Sequence, residues 1–328
     1  MKIKTKLKLT GAALAGMLAA TSASACELDR PIKMADSNWD ALQVLNSIAA
    51  TILRTGYDCE VEMVAGDMVP LFTAMQRDDV DIFMDVWMAN NMEIWEKTEA
   101  AGAVDLGVFY SDATEGWYVP RYVVEGDPER GIDAMAPDLT SVDDLIAHKA
   151  LFDDPEQPGM GRFLNCPIGW GCEQKNNVKL EAYGLSDDFT NFKPGSGAAL
   201  DASFASAYKR GQPIVGYYWE PTWLMGLYDM VKLEEPACTD DNADACAFSE
   251  TASHIVASGQ FVEQAEATEE FFRNIETSSK EVSGMLSYLQ ENEGSDREDA
   301  AMNFLKTQAD TWTQWVPADV ADKVRSSL

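Results

Sequence analysis

The sequence predicts a two-lobed α/β protein in which each lobe is a sheet flanked by helices and the chain crosses twice between the lobes. Three observations predict this fold. The chain has 328 residues, strand-like and helix-like apolar runs alternate near its start, and a second unit of this kind lies in its middle. A chain of this length exceeds the usual size of a single hydrophobic core, so two domains are expected.

The first unit consists of three short strands separated by two amphipathic helices, at 32–35, 42–55, 59–64, 69–77 and 80–86. Strand–helix–strand order indicates a parallel, doubly wound sheet. Ligands of such sheets bind beyond the carboxyl ends of the strands. Trp39 follows the first strand and Trp87 follows the third. Both tryptophans are therefore expected at a ligand site.

The middle of the chain carries further strands and a helix, predicted at 104–109, 116–124, 189–194, 198–210 and 214–219. The tail from about residue 263 is mostly helical in pattern. A first domain that is interrupted by a second requires two crossings, which we place near 112–118 and 224–235.

The predicted division of the chain follows from these crossings. The first lobe comprises residues 26–114 plus 224–328, and the inserted second lobe comprises residues 115–223.

The first 25 residues have the pattern of a cleaved secretory signal peptide. Four lysines precede an apolar run, and Ala23-Ser24-Ala25 then forms a small-x-small cleavage signal. The apolar run is too short to span a bilayer. We therefore expect an exported protein that is soluble after cleavage. Cys26 at the predicted new amino terminus leaves lipid attachment open as an alternative.

The chain is strongly acidic, with a formal net charge of −30. Long-range attraction to nucleic acid or to an anionic membrane surface is therefore excluded. Two interpretations remain open, which are solubility in a salty medium and attraction of cationic solutes.

Six cysteines in an exported protein suggest three disulfides. Two pairs bracket short loops, and the remaining two cysteines precede strands that can start side by side, so the candidate pairs are Cys26 with Cys59, Cys166 with Cys172, and Cys238 with Cys246. The cysteine and histidine spacing fits no zinc site, and we expect neither a metal nor a cofactor.

Five tryptophans occur in turn or strand-end contexts: Trp39, Trp87, Trp117, Trp170 and Trp219. Any one of them alone is more simply explained by core packing. As a set, flanked by Gly, Asn, Asp or Pro, they indicate a shared site. A tetraalkylammonium group has no N–H to donate, whereas indole faces attract cations by about 0.5–2 kcal/mol per contact. The set therefore predicts a tryptophan box for a quaternary ammonium compound.

Several motifs carry a family resemblance across nearly the whole mature chain. The stretches CPIGWGCE at 166–173 and YYWEPTW at 217–223 resemble the periplasmic glycine betaine-binding proteins of osmoprotectant importers. The NWD at 38–40, the VW at 86–87 and GWYVPRYV at 116–123 are similar to the related choline-binding proteins. The resemblance implies a two-lobed, type II-like periplasmic binding protein that works with an ABC permease in the inner membrane. We expect a monomer.

The resemblance also implies a ligand cage. Trp87, Trp170 and Trp219 match the betaine-binding pattern, Trp39 matches the choline binders, and Trp117 stands where that branch often has tyrosine. The amides of Gly171 and Cys172 match those that receive a betaine carboxylate, and the Cys166–Cys172 bridge would hold this loop rigid.

The chain departs from the family in the loop after Trp87. A histidine of the betaine binders is replaced there by Asn90 and Asn91, and we include Asn91 in the predicted site. Asp40, Asp85 and Glu220 flank three of the tryptophans. If one points inward, the site favours a bare cation, a protonated N-oxide or a hydroxyl donor such as choline. If all three point outward, betaine fits.

An exported enzyme acting on a choline-like or betaine-like substrate is the alternative function. It would need an acid, a base or a nucleophile near the box, for which Asp85, Glu115 or Glu220 could serve. No GxSxG or HExxH motif is present, so the sequence favours a binding protein.

Overall fold

The computed structural model describes residues 26–243, 245–248 and 251–328. The predicted signal peptide, residues 1–25, lies outside the described residues. The strands are β1 (Ile32–Asp36), β2 (Val61–Ala65), β3 (Ile82–Trp87), β4 (Val104–Pro120), β5 (Gly161–Leu164), β6 (Phe189–Phe192), β7 (Val215–Glu220), β8 (Met230–Lys232) and β9 (Thr251–Ala257).

The helices of the first part of the chain are α1 (Asp40–Gly56), α2 (Met68–Met75), α3 (Met92–Ala100), α4 (Arg121–Glu125), α5 (Gly171–Ala182), α6 (Gly197–Arg210) and α7 (Trp223–Leu227). The tail forms α8 (Gly259–Gln264), α9 (Glu266–Asn274), α10 (Ser279–Glu291), α11 (Arg297–Thr307), α12 (Ala309–Trp312) and α13 (Ala318–Ser327). None of the helices in the described residues combines the length and apolarity that a membrane span requires.

One mixed sheet runs through the described residues in the order β2-β1-β3-β9-β4-β7-β5-β6, and β8 pairs with β4. β1 is parallel to both β2 and β3, which confirms the prediction for the first three strands. β9 returns late in the chain and lies antiparallel between β3 and β4. This insertion ties the carboxyl-terminal part of the chain to the first strands.

The long strand β4 joins the two halves of the sheet. Its first part pairs with β9, and from Thr114 to Tyr118 it pairs with β7. The prediction of two separate strands, 104–109 and 116–124, is wrong in two respects. The segment between them is also extended, and the strand ends at Pro120. Helix α4 follows, and Arg121 at its start pairs with Glu125 one helical turn later and with Asp229 across the turn.

We call β1, β2, β3 and β9, together with the segments that directly follow them, the first half of the sheet, and β5 to β8, with the segments that directly follow them, the second half. The lobe boundaries given above stay a prediction. β8 pairs with Tyr118–Pro120 of β4, and it therefore belongs to the second half.

The structure contains all three candidate disulfides, Cys26–Cys59, Cys166–Cys172 and Cys238–Cys246. The first joins the chain just ahead of β1 to the chain just ahead of β2, two parallel neighbours. Its formation uses the Cys26 sulfur, which argues against the lipid-attached alternative.

Candidate functional site

A cavity lies between the two halves of the sheet, and the non-atom space there is about 390 Å³ when the open solvent at its mouth is included. Its lining contains no charged side chain and consists of Trp39, Met68, Trp87, Asn90, Asn91, Trp170, Gly171, Cys172, Tyr217 and Trp219. Four of the five predicted tryptophans and all three other predicted site residues thus come together in one place.

The first half of the sheet supplies Trp39 and Trp87. Trp39 precedes α1 and follows β1 by three residues, and Trp87 is the last residue of β3. Because β1 and β3 are parallel neighbours, their carboxyl ends meet at one edge of the sheet. Strand ends rather than strand interiors therefore deliver both indoles to the cavity.

The second half supplies Trp170 at the start of α5. Trp170 is the last residue before the helix, and Gly171 and Cys172 begin it. The Cys166–Cys172 disulfide closes the preceding loop. The first backbone N–H groups of a helix have no partner within it, and they favour an anionic or electron-rich group. The loop thus presents an aromatic ring and peptide N–H groups side by side.

Strand β7 supplies Trp219 and Tyr217. Alternate residues of a strand face the same side of the sheet, so both side chains reach the cavity. Tyr217 was missed as a site residue. It stands in the same YYW motif, and the two-residue spacing from Trp219 was a signal that could have identified it.

The indole rings form a continuous aromatic wall. The ring centroid of Trp170 lies 5.5 Å from that of Trp39 at an interplanar angle of 73°. It also lies 5.5 Å from that of Trp219, at 74°. Trp170 is therefore edge-on to one tryptophan from each half of the sheet, a favourable arrangement for aromatic pairs.

Asp85 lies beneath this wall and orients two of its rings. Its carboxylate accepts hydrogen bonds from the indole Nε1 of Trp39 at 2.7 Å and from that of Trp87 at 3.1 Å. The hydroxyls of Tyr110 and Ser253 donate to it at 2.6 and 2.8 Å. An ionised carboxylate accepts without donating, so these four donors match its capacity.

An irregular backbone conformation in β3 directs the Asp85 side chain toward the two indole N–H groups. Asp85 has φ of +53°, a left-handed conformation that is uncommon for residues other than glycine. The pairing of β3 with β9 shifts register between Phe83 and Val86, as expected at a bulge. Burial raises the pKa of Asp85, and the four hydrogen bonds oppose that rise.

Glu115 is a second buried acid close to the cavity. Its carboxylate accepts both from Asn90 Nδ2, at 2.9 Å to each oxygen, and from the Tyr217 hydroxyl at 2.5 Å. Burial raises the pKa of Glu115. Because Asn90 lies in the first half of the sheet and Tyr217 in the second, Glu115 connects cavity residues from both halves.

Trp117 does not line the cavity. Its side chain is fully buried, its ring centroid lies 4.2 Å from that of Phe163, and its Nε1 donates to Asn176 of α5 at 2.8 Å. Trp117 lies opposite Tyr217 in the β4–β7 pairing, and it is two residues along β4 from Glu115, which lies opposite Trp219. Helix α5 covers Trp117, and Trp117 belongs to the core.

The acids that flank the tryptophans do not line the cavity either. Glu220 is exposed, and Asp85 lies behind the rings. Asp40 lines a neighbouring cavity that shares Trp39 and Trp219 as its wall and also contains Asp201. Burial raises the pKa of Asp201 to about 7, and the nearby charge of Asp40 adds to this.

The sequence matches a family described as the substrate-binding domain of ABC-type glycine betaine transport systems, over residues 30–307. A trimethylamine N-oxide-binding protein of Pelagibacter ubique is 23% identical over 296 residues, which cover 88% of this chain and 92% of that protein.

Two solved structures share the fold. A choline-binding protein of an ABC transporter, in complex with choline, superimposes with a TM-score of 0.73 at 18% identity, over 92% of this chain and 98% of that one. A glycine betaine/L-proline-binding protein of Borrelia burgdorferi gives a TM-score of 0.71 at 18% identity, over 90% and 100% of the two chains. The predicted two-lobed α/β fold is thereby confirmed. This chain belongs to the family of substrate-binding domains of ABC-type glycine betaine transport systems.

Proposed function

We propose that this protein binds a small methylated ammonium compound, or a related N-oxide, in the tryptophan-lined cavity and delivers it to an ABC importer. The observation that carries the proposal is the meeting of Trp39, Trp87, Trp170 and Trp219 around one cavity without a charged lining residue. Such a lining suits a cation that offers methyl groups instead of N–H donors.

The physical basis of selectivity is desolvation. Indole faces contribute about 0.5–2 kcal/mol per cation contact when water is excluded. Ammonium and primary amines would lose their hydration without gaining hydrogen bonds from these rings, so they are disfavoured. The buried Asp85 carboxyl group accepts hydrogen bonds from the N–H edges of Trp39 and Trp87 and holds both rings in place at the cavity.

The opposite end of the ligand would meet the start of α5. The amides of Gly171 and Cys172 suit a carboxylate or an N-oxide oxygen. Asn91 supports this end from the other half of the sheet, because its Nδ2 donates to the carbonyl of Trp87 at 2.8 Å and fixes the loop after β3.

Closure of the two lobes would exclude water from the cage. Trp39 and Trp87 come from the first half of the sheet, and Trp170 and Trp219 from the second. Hinge closure around a ligand is a common motion of two-lobed proteins. We place one crossing within β4, near Thr114, and the return crossing between β8 and β9.

The cellular setting belongs to the same proposal. The protein would be exported by its signal peptide, act in the periplasm as a monomer, and dock on an inner-membrane permease in its closed form. The family assignment and the leader-like first 25 residues support this setting.

The proposal is tested by calorimetric titration of the mature protein with glycine betaine, choline, trimethylamine N-oxide, carnitine, proline betaine and dimethylsulfoniopropionate. We expect tight binding of at least one, and a change in tryptophan fluorescence that is lost in Trp170→Ala and Trp219→Ala. Failure to bind any of these compounds would overturn the cage assignment.

The same samples test the enzyme alternative. Incubation of the bound compound with the protein, followed by product analysis, should return the compound unchanged. Turnover would instead assign catalysis to a nearby acid, and Glu115 would be the first to substitute because it contacts Asn90 and Tyr217 of the lining.

A further inference from the structure

The contact between the two halves depends on a glycine outside the cavity lining. Gly197 is buried and begins α6. A Cβ atom at this position would lie 2.7 Å from the carbonyl oxygen of Asn38 and 3.2 Å from the nearest ring carbon of Trp170. The first distance is shorter than real Cβ contacts, and the atom met there belongs to the backbone, which cannot rotate away.

Asn38 makes the reciprocal contact from the first half of the sheet. Its Oδ1 accepts a hydrogen bond from the Trp170 indole Nε1 at 3.0 Å. Asn38 directly precedes Trp39, whose ring meets that of Trp170 edge-on. The orientation of the Trp170 ring is therefore set by a residue of the opposite half.

We propose that Gly197 and Asn38 are positioning residues for closure: the missing side chain of Gly197 lets the start of α6 reach the Asn38 backbone, and Asn38 then orients Trp170 in the cage. This inference rests on the proposed function and adds two residues to the site, neither of which lines the tryptophan cavity. The cage is completed only when these contacts form.

A substitution at Gly197 acts mainly on the contact with Asn38, because the 2.7 Å approach to that backbone oxygen is shorter than the 3.2 Å approach to the Trp170 ring. The backbone of Gly197 does not have the positive φ that disfavours other residues. Alanine also suits the first position of a helix. Each lobe should therefore fold normally with Gly197→Ala, while the added methyl group holds the lobes apart.

Gly195 provides a matched control two residues earlier. It too lacks a positive φ, and an added Cβ would meet no atom within 4 Å. Neither glycine has a positive φ, and they differ in what an added Cβ would meet.

The experiment compares wild type, Gly197→Ala and Gly195→Ala by stopped-flow tryptophan fluorescence, with glycine betaine, choline and trimethylamine N-oxide as probes. We expect Gly197→Ala to raise Kd at least about tenfold, mainly through faster dissociation, because most affinity differences between related complexes lie in dissociation. Gly195→Ala should stay within about twofold of wild type. The unfolding temperature of the unliganded proteins should be the same in all three. Equal Kd and dissociation rates in the two variants would overturn the proposal.

Asn38 gives an independent test, because its side chain is exposed and its replacement should not disturb folding. Asn38→Ala removes the acceptor for Trp170 Nε1, whereas Asn38→Asp keeps an oxygen there. We expect faster dissociation with Asn38→Ala and recovery toward wild type with Asn38→Asp. Identical rates in both variants would contradict the positioning role.

Hydrogen exchange separates this inference from the proposed function. If wild type binds none of the three probes, the proposed function fails. The closure contact is then tested on the unliganded proteins through amide exchange of segments 36–41 and 166–173. Faster exchange in Gly197→Ala than in Gly195→Ala supports the contact, and equal exchange overturns it.

Discussion

Trp219 and Trp117 occupy the same face of two paired strands, yet they belong to different parts of the molecule. Trp219 lies opposite Glu115, near the end of β7, and lines the cavity. Trp117 lies opposite Tyr217, and α5 covers it through Asn176. Two residues along the sheet thus separate an indole that lines the cavity from an indole in the core. The covering helix, and not the local sequence, makes the difference.

The largest expected effect is the loss of stability on substitution of Trp117, the core residue of this pair. Trp117→Ala removes a fully buried indole and its hydrogen bond to Asn176, which should cost about 3–5 kcal/mol of unfolding free energy. The affinity of the folded protein should change little. Urea denaturation, together with titration under native conditions, measures both quantities. A loss of affinity with unchanged stability would place Trp117 in the site after all.

Substitution of Trp219, the cavity residue of the pair, should affect affinity more than stability. Trp219→Ala removes one wall of the cavity, and we expect Kd to rise about 10- to 100-fold, since each tenfold step corresponds to about 1.4 kcal/mol. Its unfolding free energy should fall less than that of Trp117→Ala, because Trp219 is next to open space. Calorimetry with the bound onium compound gives the affinity. Unchanged binding would show that the cavity is not the ligand site.

Substitution of Asp85 should affect both properties. Asp85→Asn replaces a four-fold acceptor by a group with one oxygen and an N–H₂ that faces other donors. Leaving buried donors unpaired costs about 1–3 kcal/mol, and Trp39 and Trp87 lose their common anchor. We expect lower stability together with about tenfold weaker binding.

The matched control for Asp85 is Glu220→Gln, which changes the same kind of charge at an exposed strand end. It should alter neither quantity. Equal effects of the two substitutions would mean that net charge, and not the hydrogen bonds of Asp85, matters for the cage.

The smallest expected effect is a pH dependence of stability that arises from Asp201, which lines the cavity next to the tryptophan-lined one. Burial raises the pKa of Asp201 to about 7 in the folded protein, whereas the unfolded value is about 3.9. The folded state therefore holds this proton more tightly, and its stabilising contribution is lost as pH rises from about 4 to 7. Above about pH 7 the loss is complete and constant.

Asp201→Asn removes this titration, so its unfolding temperature should fall less than that of wild type between pH 4 and pH 7. Burial and the nearby charge of Asp40 raise the pKa of Asp201, whereas the hydrogen bonds that Tyr218 and Trp223 donate to Asp201 oppose the rise. Parallel pH profiles of the two proteins would contradict the assigned protonation.

Local patterns predicted much of the fold. The three parallel strands and the cysteine pairs were readable because strand alternation and loop lengths are local properties. β9 was not predicted, since its position between β3 and β4 depends on pairing with strands more than 130 residues away in the chain. The end of β4 at Pro120 was placed too late for a similar reason, because the following turn is stabilised by Asp229.

The sequence predicted that four tryptophans meet at one cavity, because strand ends and helix starts place them at one edge of the sheet. The same reasoning does not hold for Trp117. Gly116 and Pro120 suggested a loop around it, but both lie within one long strand. The role of Asp85 could not be read from the sequence. It depends on a left-handed backbone conformation and on Tyr110 and Ser253, which come from other strands.

A methylation series tests the central claim most directly. Wild-type protein is titrated with glycine betaine and then with dimethylglycine, sarcosine and glycine, and in parallel with choline and ethanolamine. If the four indoles recognise a methylated cation, affinity falls with each methyl group removed, and the unmethylated compounds bind at least about 100-fold more weakly than their trimethylated counterparts. Equal affinity for methylated and unmethylated members of either series would contradict the tryptophan cage.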